Sequence, residues 1–379
     1  MTNPADHSSW IHGSVDCTPE MVGYDPSRMA RLEEIFEGLV RGGKAQCAAY
    51  CLSRHGKVFA DRSFGRRRHD GNEPMSPSTW RQIASVTKVL TSIGVLKLVE
   101  EGRLLMEFPV SKVLSEFDTP ALGKITLQHL LTHTSGIVPD PGSDGETNPD
   151  HEGIWNMMST PDWLATVVAM KPTTAPGEAW RYSSVGFAIL GEVISRVVDE
   201  PYAIWMAREV LAPAGLRQTF WDIAGKPIEG FAFVSDKNRR FIEDRPSLLH
   251  HPRVAMGGAF STCRDLARLG QLLVAGGTLD GERVIGRRTV EAMTRIHVDV
   301  AAPHWGDKFT DWKYGLGLEP ARHPLVEPGS VWGHEGSGRS AMWFDRESGL
   351  AMSWILPTTL DWDPDFGWTP RAVVLSGLM

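Results

Sequence analysis

A helix-forming segment near residue 90 constrains the fold most, because it is apolar on almost every side. Between residues 85 and 101 the apolar side chains are Val86, Val89, Leu90, Ile93, Val95, Leu96, Leu98 and Val99. A helix without a polar face lies inside a domain and not on its surface. Gly102 follows directly, which is typical of a helix C-terminus. The rest of the chain must therefore supply elements that surround this helix.

Strand-like runs lie toward both ends of the chain. Residues 48–53 and 57–64 are β-type runs that Arg54-His55-Gly56 joins as a hairpin, and residues 340–345 and 350–356 form a second hairpin. The intervening region is mostly helical. Besides the central helix, helices are predicted at about 24–41, 126–133 and 160–170, after residues 182–184 as far as about 198, and at about 262–275 and 287–296.

This arrangement predicts an α+β fold. An antiparallel sheet is formed from the N- and C-terminal segments and flanked by helices, and a mostly helical region is inserted between its halves. We divide the chain into an N-terminal extension, residues 1–24, and a single domain, residues 25–379. Within that domain the sheet part covers about 25–80 and 255–379, and the helical part about 81–254.

Charge and composition exclude several classes of partner. The formal net charge is −7 in 379 residues, so there is no basic footprint for nucleic acid or an anionic membrane. No run of 18 apolar residues predicts a membrane span, and the N-terminal residues do not resemble a secretory signal. We therefore expect a soluble cytoplasmic protein; the oligomeric state stays open.

No pattern predicts a metal or a cofactor. The four cysteines, Cys17, Cys47, Cys51 and Cys263, form no CxxC pair and are expected as buried free thiols. His250 and His251 are adjacent, so on an extended chain they point to opposite faces. We expect neither a metal site nor a cofactor.

Residues 138–160 are rich in Pro, Gly, Asp and Asn and predict a long loop of the kind that forms active-site lids. Four tryptophans lie in or near predicted loops: Trp155, Trp163, Trp305 and Trp312. They could line a substrate cleft, although core packing is the commoner role of tryptophan.

The strongest chemical signal lies at the start of the central helix. Ser85-Val86-Thr87-Lys88 places a serine and a lysine three residues apart, on one helical face. A desolvated lysine can take the proton of a serine hydroxyl and make it a nucleophile. The alternative is a helix-capping serine followed by an ordinary lysine. A charge in so apolar a helix would be costly, which favours the catalytic interpretation.

Three motifs in order resemble the serine β-lactamase-like superfamily, which includes class C β-lactamases, family VIII carboxylesterases and DD-peptidases. The family pattern is S-x-x-K, then Y-x-N, then K-T-G or H-x-G. This chain has Ser85 to Lys88, Tyr182-Ser183-Ser184 and His334-Glu335-Gly336. Residues 130–136, 176–178 and 314–317 are also similar, so the resemblance covers about residues 25–360.

The resemblance implies roles for these residues. Tyr182 would act with Lys88 as base or acid, and the two would titrate as a coupled unit. Gly336 would lie on the strand at the edge of the site, and the N–H groups of Ser337 and Ser85 would form the oxyanion hole. Alternatives remain: Tyr182 as a core tyrosine, and His334 as a loop histidine without a catalytic role.

Two positions depart from the family pattern. Ser184 stands where Asn is usual, and His334 stands where β-lactamases have lysine. A histidine is mostly uncharged at neutral pH, so a fixed positive charge for a substrate carboxylate is weakened. Both changes favour neutral esters or amides over β-lactams.

The sequence therefore predicts a serine hydrolase that acts on a small-molecule ester or amide through an acyl-enzyme on Ser85. A transacylase that passes the acyl group to an amine or alcohol in secondary metabolism is one alternative. A D-amino-acid peptidase or weak β-lactamase, and a non-catalytic binding module, are others. The absence of a G-x-S-x-G motif argues against an α/β-hydrolase.

Overall fold

The computed structural model describes residues 9–141, 160–244, 251–300, 312–322, 330–361 and 363–379. The strands are β1 Ile11–His12, β2 Cys47–Arg54, β3 Lys57–Gly65, β4 Arg81–Gln82, β5 Phe260–Ser261, β6 Thr278–Leu279, β7 Glu282–Arg283, β8 Val298–Val300, β9 Trp312–Tyr314, β10 Glu319–Pro320, β11 Val331–Gly336, β12 Ser340–Asp345 and β13 Leu350–Ile355. The helices are α1 Pro26–Arg41, α2 Thr87–Glu100, α3 Leu127–Leu131, α4 Trp163–Ala169, α5 Ser184–Val198, α6 Tyr202–Met206, α7 Ala212–Ala214, α8 Asp236–Glu243, α9 Arg253–Met256, α10 Cys263–Val274, α11 Arg287–Met293 and α12 Pro364–Leu375.

Seven strands form one antiparallel sheet in the order β1-β3-β2-β13-β12-β11-β10. Strand β13 pairs with β2, with Met352 opposite Leu52, so the two ends of the chain meet in the middle of the sheet. The β2–β3 hairpin turns at His55 and Gly56, whose φ angles of 53° and 79° match the twist of a tight hairpin. At one edge, β1 pairs with β3 and joins part of the N-terminal segment to the sheet.

Helices cover both faces of the sheet. On one face α1 and α12 pack against each other and against the strands, around Phe36, Tyr50 and Trp354. Helix α1 begins where the Asp25 side chain accepts a hydrogen bond from the Ser27 N–H, at 2.9 Å. On the other face α10 packs against β2, β12 and β13. The predicted α+β fold, with a sheet formed from both ends of the chain, is confirmed.

Helix α2 lies at the centre of the helical region, as its apolar surface predicts. Every residue from Thr87 to Leu96 is buried. Helices α5 and α9 pack beside it, and Gly94 lets α6 approach closely because a Cβ there would meet the Met206 sulfur. The 3₁₀ turn Ala84–Val86, which precedes α2, packs against β11, and this contact joins the helical region to the sheet.

Two helix boundaries differ from the prediction. The segment predicted as a helix from residue 85 starts with a 3₁₀ turn, Ala84–Val86, and α2 proper starts at Thr87. Helix α11 ends at Met293 and not at 296, because the chain must extend to pair β8 with β9.

The cysteines are free and buried, as predicted. Cys47, Cys51 and Cys263 share one small apolar cluster beneath the sheet. Within the described ranges, no group of three or more His, Cys, Asp or Glu could hold a metal ion, and His250 lies outside those ranges. No helix in the described part of the chain is long and apolar enough to cross a membrane.

Candidate active site

Ser85 lies on the 3₁₀ turn that leads into α2, and Lys88 lies one turn further on. The Lys88 Nζ is 3.2 Å from the Ser85 Oγ, 3.1 Å from the Ser184 Oγ and 2.9 Å from the Met256 carbonyl oxygen. An ammonium group has three protons, and these three oxygens can accept all of them. The serine is not a helix cap, because the cap position of α2 is Val86 and no side chain caps it.

Burial and charge set the proton affinity of Lys88 in opposite directions. The side chain is fully buried, which lowers the pKa of Lys88 to about 8, and the Asp140 carboxylate partly opposes this shift. The ammonium also lies over the Tyr182 ring, 4.8 Å from its centroid, and 5.7 Å from that of Phe187. A lysine in this setting is partly neutral at physiological pH and can act as a base.

Tyr182 precedes α5 and faces the same serine. Burial raises the pKa of Tyr182 well above its usual value and the Asp140 charge adds to this, while an interaction with the Ser85 hydroxyl lowers it. The phenol is therefore neutral near pH 7. Of the two candidate bases, Lys88 has the lowered pKa and Tyr182 the raised one.

The His133 side chain is in contact with Tyr182 in the core. Its ring packs against the Tyr182 ring, with 4.2 Å between the centroids and an angle of 33° between the ring planes. The Ser183 N–H donates to His133 Nδ1 at 3.1 Å, which leaves the proton on Nε2, 3.3 Å from the Tyr314 hydroxyl. Burial, Lys88 and His334 hold the pKa of His133 well below its usual value. The sequence alone gave this histidine no role, because residues 133, 182 and 314 are far apart in the chain. No local sequence pattern shows that they are in contact.

Strand β11 carries the third motif along the edge of the site. The His334 Nδ1 lies 2.7 Å from the Glu335 carbonyl oxygen, so Nδ1 carries the proton and Nε2 is an acceptor. Burial and the Lys88 charge lower the pKa of His334 to about 3. The imidazole ring is therefore neutral at neutral pH. This agrees with the expectation that a histidine at position 334 provides less positive charge than the lysine of β-lactamases.

Gly336 brings β11 against the turn that carries the serine. A Cβ at this position would overlap the Ile83 carbonyl oxygen and lie 3.2 Å from the Ala84 Cβ. Ala84 has a φ of 45°, in the left-handed region that non-glycine residues rarely occupy. Strand β11 thus packs closely against the serine-bearing turn, and Ser337 and Ser85 line the same cavity.

Asp140 is a site residue that the sequence did not single out. Both of its carboxylate oxygens contact Ser184: Oδ1 accepts from the Ser184 N–H and Oδ2 from the Ser184 Oγ, each at 2.6 Å. The residue belongs to the segment predicted as a lid loop. Only the fold brings it beside residue 184, so no local pattern could identify it.

A cavity of about 1370 Å³ opens over these residues. Six of the seven predicted site residues line it, and Lys88 lies behind Ser85: the six are Ser85, Tyr182, Ser184, His334, Gly336 and Ser337. Of the tryptophans considered, Trp312 lines the cavity and Trp163 packs in the helical core, while Trp155 and Trp305 lie outside the described residues.

Glu319 adds a second carboxyl that sequence reasoning missed. It lines the cavity on β10, and burial with the nearby Glu335 raises the pKa of Glu319 to about 7. The Arg322 guanidinium, 3.7 Å away, opposes the shift. This acid is balanced between its two protonation states near neutral pH.

The fold, the contact between Lys88 and Ser85, and the cavity that Ser85 and Tyr182 line define the class: the serine β-lactamase-like superfamily. The family model described as Beta-lactamase matches residues 32–372. The chain therefore belongs to the Beta-lactamase family.

Comparisons with individual proteins agree with this family. Protein Rv1367c of Mycobacterium tuberculosis is 26% identical over 331 residues, covering 77% of this chain and 80% of the relative. Esterase EstB of Burkholderia gladioli is 31% identical over 201 residues, covering 50% of this chain and 51% of the esterase. The solved structure of EstCE1, described as a hydrolase with promiscuous acyltransferase activity, has a TM-score of 0.77 at 18% identity and covers 92% of this chain and 99% of its own.

Proposed function

We propose that this protein is a serine hydrolase that cleaves neutral esters or amides through an acyl-enzyme on Ser85. The observation that supports this most directly is the 3.2 Å contact between Lys88 Nζ and Ser85 Oγ, at a lysine whose pKa is near 8. A general base must lie within hydrogen-bond reach of the proton it takes and have a pKa near the working pH. Lys88 meets both conditions.

In the acylation step, neutral Lys88 takes the proton of Ser85 while the serine oxygen attacks the substrate carbonyl. The carbonyl oxygen becomes an oxyanion. Backbone N–H groups of Ser85 and Ser337, two residues that line the same cavity, are the proposed donors to it. The N-terminus of α2 adds a partial positive charge at the same place.

Tyr182 is the proposed acid for the leaving group. Its phenol is neutral and interacts with Ser85, so it can pass a proton to the departing alkoxide or amine. The Lys88 ammonium then restores the phenol proton. Deacylation runs the same transfers in reverse, with water in place of the leaving group, and releases the acid.

The neutral His334 limits the charge of the substrate. With a pKa of about 3, its ring provides no cation for a substrate carboxylate at physiological pH. Its unprotonated Nε2 is a buried hydrogen-bond acceptor beside the cavity that His334 lines. This supports esters and amides without a carboxylate near the reacting carbonyl, and disfavours β-lactams and C-terminal peptides.

Acyl transfer is a second candidate function. Ligand pockets commonly have volumes of roughly 300–1,000 Å³, and the cavity here is about 1370 Å³. It has room for an acyl group on Ser85 together with an alcohol or amine acceptor. The similarity to EstCE1 supports this candidate through the shared fold alone.

The test is labelling and turnover of three proteins: the parent, Ser85→Ala and the matched control Ser92→Ala, a buried serine further along α2. Intact-mass spectrometry after a fluorophosphonate should show one adduct on the parent and on Ser92→Ala and none on Ser85→Ala. The parent should hydrolyse p-nitrophenyl butyrate and not nitrocefin. Full ester turnover by Ser85→Ala, or no adduct and no turnover by the parent, would refute the proposal.

Transfer is measured by adding benzyl alcohol or benzylamine to the same ester reaction. If the enzyme transfers acyl groups, benzyl butyrate or the butyramide forms at the expense of butyric acid. If butyric acid remains the only product at saturating acceptor, the enzyme is a hydrolase.

A further inference from the structure

We propose that Asp140 is a positioning residue for the reaction: its carboxylate fixes the direction of the hydrogen bond between Lys88 and Ser184, so that the neutral amine presents its lone pair to Ser85. The inference rests on the proposed function, because it concerns how Lys88 becomes a base. It assigns a role to a residue outside the three motifs.

Asp140 is attached to the second motif at three points. Its backbone N–H donates to the Tyr182 carbonyl oxygen at 2.7 Å. Its two carboxylate oxygens accept from the N–H and the hydroxyl of Ser184. Nearby, the Ser183 hydroxyl donates to the Val138 carbonyl oxygen at 2.8 Å. Residues 138–140 therefore run beside the motif and hold Asp140 in one orientation.

The carboxylate decides where the Ser184 proton lies. An ionised carboxylate only accepts hydrogen bonds, so the Ser184 hydroxyl must donate its proton to Asp140 Oδ2. The Ser184 oxygen can then only accept from Lys88, at 3.1 Å. The two hydrogen bonds therefore point the same way: Lys88 donates to Ser184, and Ser184 donates to Asp140.

A second acceptor with fixed polarity completes the arrangement. The Met256 carbonyl oxygen, 2.9 Å from Lys88 Nζ, can only accept. A neutral amine has two protons and one lone pair, and the two acceptors bind the two protons. The direction that remains points to the Ser85 hydroxyl at 3.2 Å, so the lone pair faces the proton that Lys88 must take.

The arrangement accounts for the departure at residue 184. The amide oxygen of the usual Asn accepts hydrogen bonds and cannot donate them. A serine hydroxyl can do either, and alone it could donate to the amine and occupy its lone pair. Ser184 and Asp140 together restore an acceptor of fixed polarity.

Asp140 also affects the charge on Lys88. The other titratable groups facing the lysine are His133, His334 and Tyr182, and the shifts of their pKa values keep all three neutral near pH 7. The Asp140 charge favours the ammonium and so raises the pKa of Lys88. Removing that charge should lower the pKa, an effect that a purely structural contact would not produce.

The experiment compares the parent with Asp140→Asn and with the control Asp118→Asn, an exposed aspartate of the helical region. kcat and KM for p-nitrophenyl butyrate and the rate of fluorophosphonate labelling are measured from pH 5.5 to 10. Asp140→Asn should lower the plateau kcat about tenfold or more, with KM little changed. Its ascending pH limb should move down by about 1 unit, as expected when a neighbouring opposite charge is removed. Asp118→Asn should keep the parent profile.

A double variant, Asp140→Ala/Ser184→Asn, replaces the pair by the single amide of the family pattern. It should regain kcat relative to Asp140→Asn if the pair serves as an acceptor of fixed polarity. A pH limb in Asp140→Asn that coincides with the parent limb would overturn the inference while leaving the proposed function intact. A parent protein that neither labels nor turns over ester would overturn both.

Discussion

The Ser340 hydroxyl donates a hydrogen bond of 2.7 Å to the carbonyl oxygen of Ile83, and this bond ties strand β12 to the turn that carries Ser85. Between them lies Gly336, on the neighbouring strand. The nucleophile is therefore positioned by the sheet as well as by its own helix. Small changes at this contact should alter the rate more than the stability of the helical region.

Gly336→Ala tests this contact. The added Cβ would overlap the Ile83 carbonyl oxygen, so β11 must move away from the turn and carry Ser337 with it. Loss of one oxyanion donor typically lowers kcat by about 100- to 1,000-fold, and we expect a loss of that order in ester hydrolysis. Gly38→Ala is the matched control, because a Cβ there meets nothing within 4 Å. Equal kcat in the two variants would contradict the proposed role of Ser337.

The pH profile of ester hydrolysis should report Lys88. The neutral amine is the active form, so kcat/KM should rise about tenfold per unit below the lysine pKa and level off above about 8. Lys88→Arg, which cannot lose its proton in this range, should lose about 100- to 10,000-fold in activity. Glu319 also titrates in this range, with a pKa of about 7. Glu319→Gln is the variant that distinguishes the two groups. If Lys88 is the base, the variant should keep the ascending limb near pH 8. If the limb disappears in Glu319→Gln, the limb belongs to the Glu319 carboxyl.

The two sheet hairpins and the central helix could be predicted from the sequence because each depends on local signals. The β-type runs on either side of Arg54-His55-Gly56 and the all-round apolar surface of α2 are properties of short windows. The Ser85 and Lys88 pair is also local, since three residues on a helix bring them together.

The remaining site residues depend on contacts between distant segments. Asp140 meets Ser184 across 44 residues, and Glu319 reaches the cavity on a two-residue strand without periodicity. The sequence also did not predict the left-handed φ angle of Ala84, because such angles are usually indicated by a glycine and this position has an alanine. Motif order located Tyr182 and His334 only through resemblance, and their shifted pKa values follow from burial that a sequence does not display.

His334→Lys tests the effect of the missing cation. A lysine at this position adds positive charge near Lys88 and should lower the pKa of Lys88, because the existing electrostatic contact between residues 88 and 334 acts in that direction. The ascending limb of kcat/KM should move to lower pH, and nitrocefin turnover should increase relative to ester turnover. His334→Gln, which adds no charge, should keep the parent limb. An unmoved limb in a folded His334→Lys protein would show that residue 334 does not affect the base.

The free energy of unfolding should depend on pH in a way that the titration of Glu319 determines. Its folded pKa of about 7 exceeds the ordinary value of 4.5, so the folded state binds the proton more tightly than the unfolded chain. The resulting stabilisation is fully present below pH 4.5 and is lost as the pH rises to 7, by on the order of 3 kcal/mol for a shift of this size. Chemical denaturation of Glu319→Gln should lack this decline, so the free energy of unfolding of the variant relative to the parent should increase between pH 4.5 and 7. Parallel stability curves would mean that Arg322, 3.7 Å away, keeps the carboxyl ionised throughout.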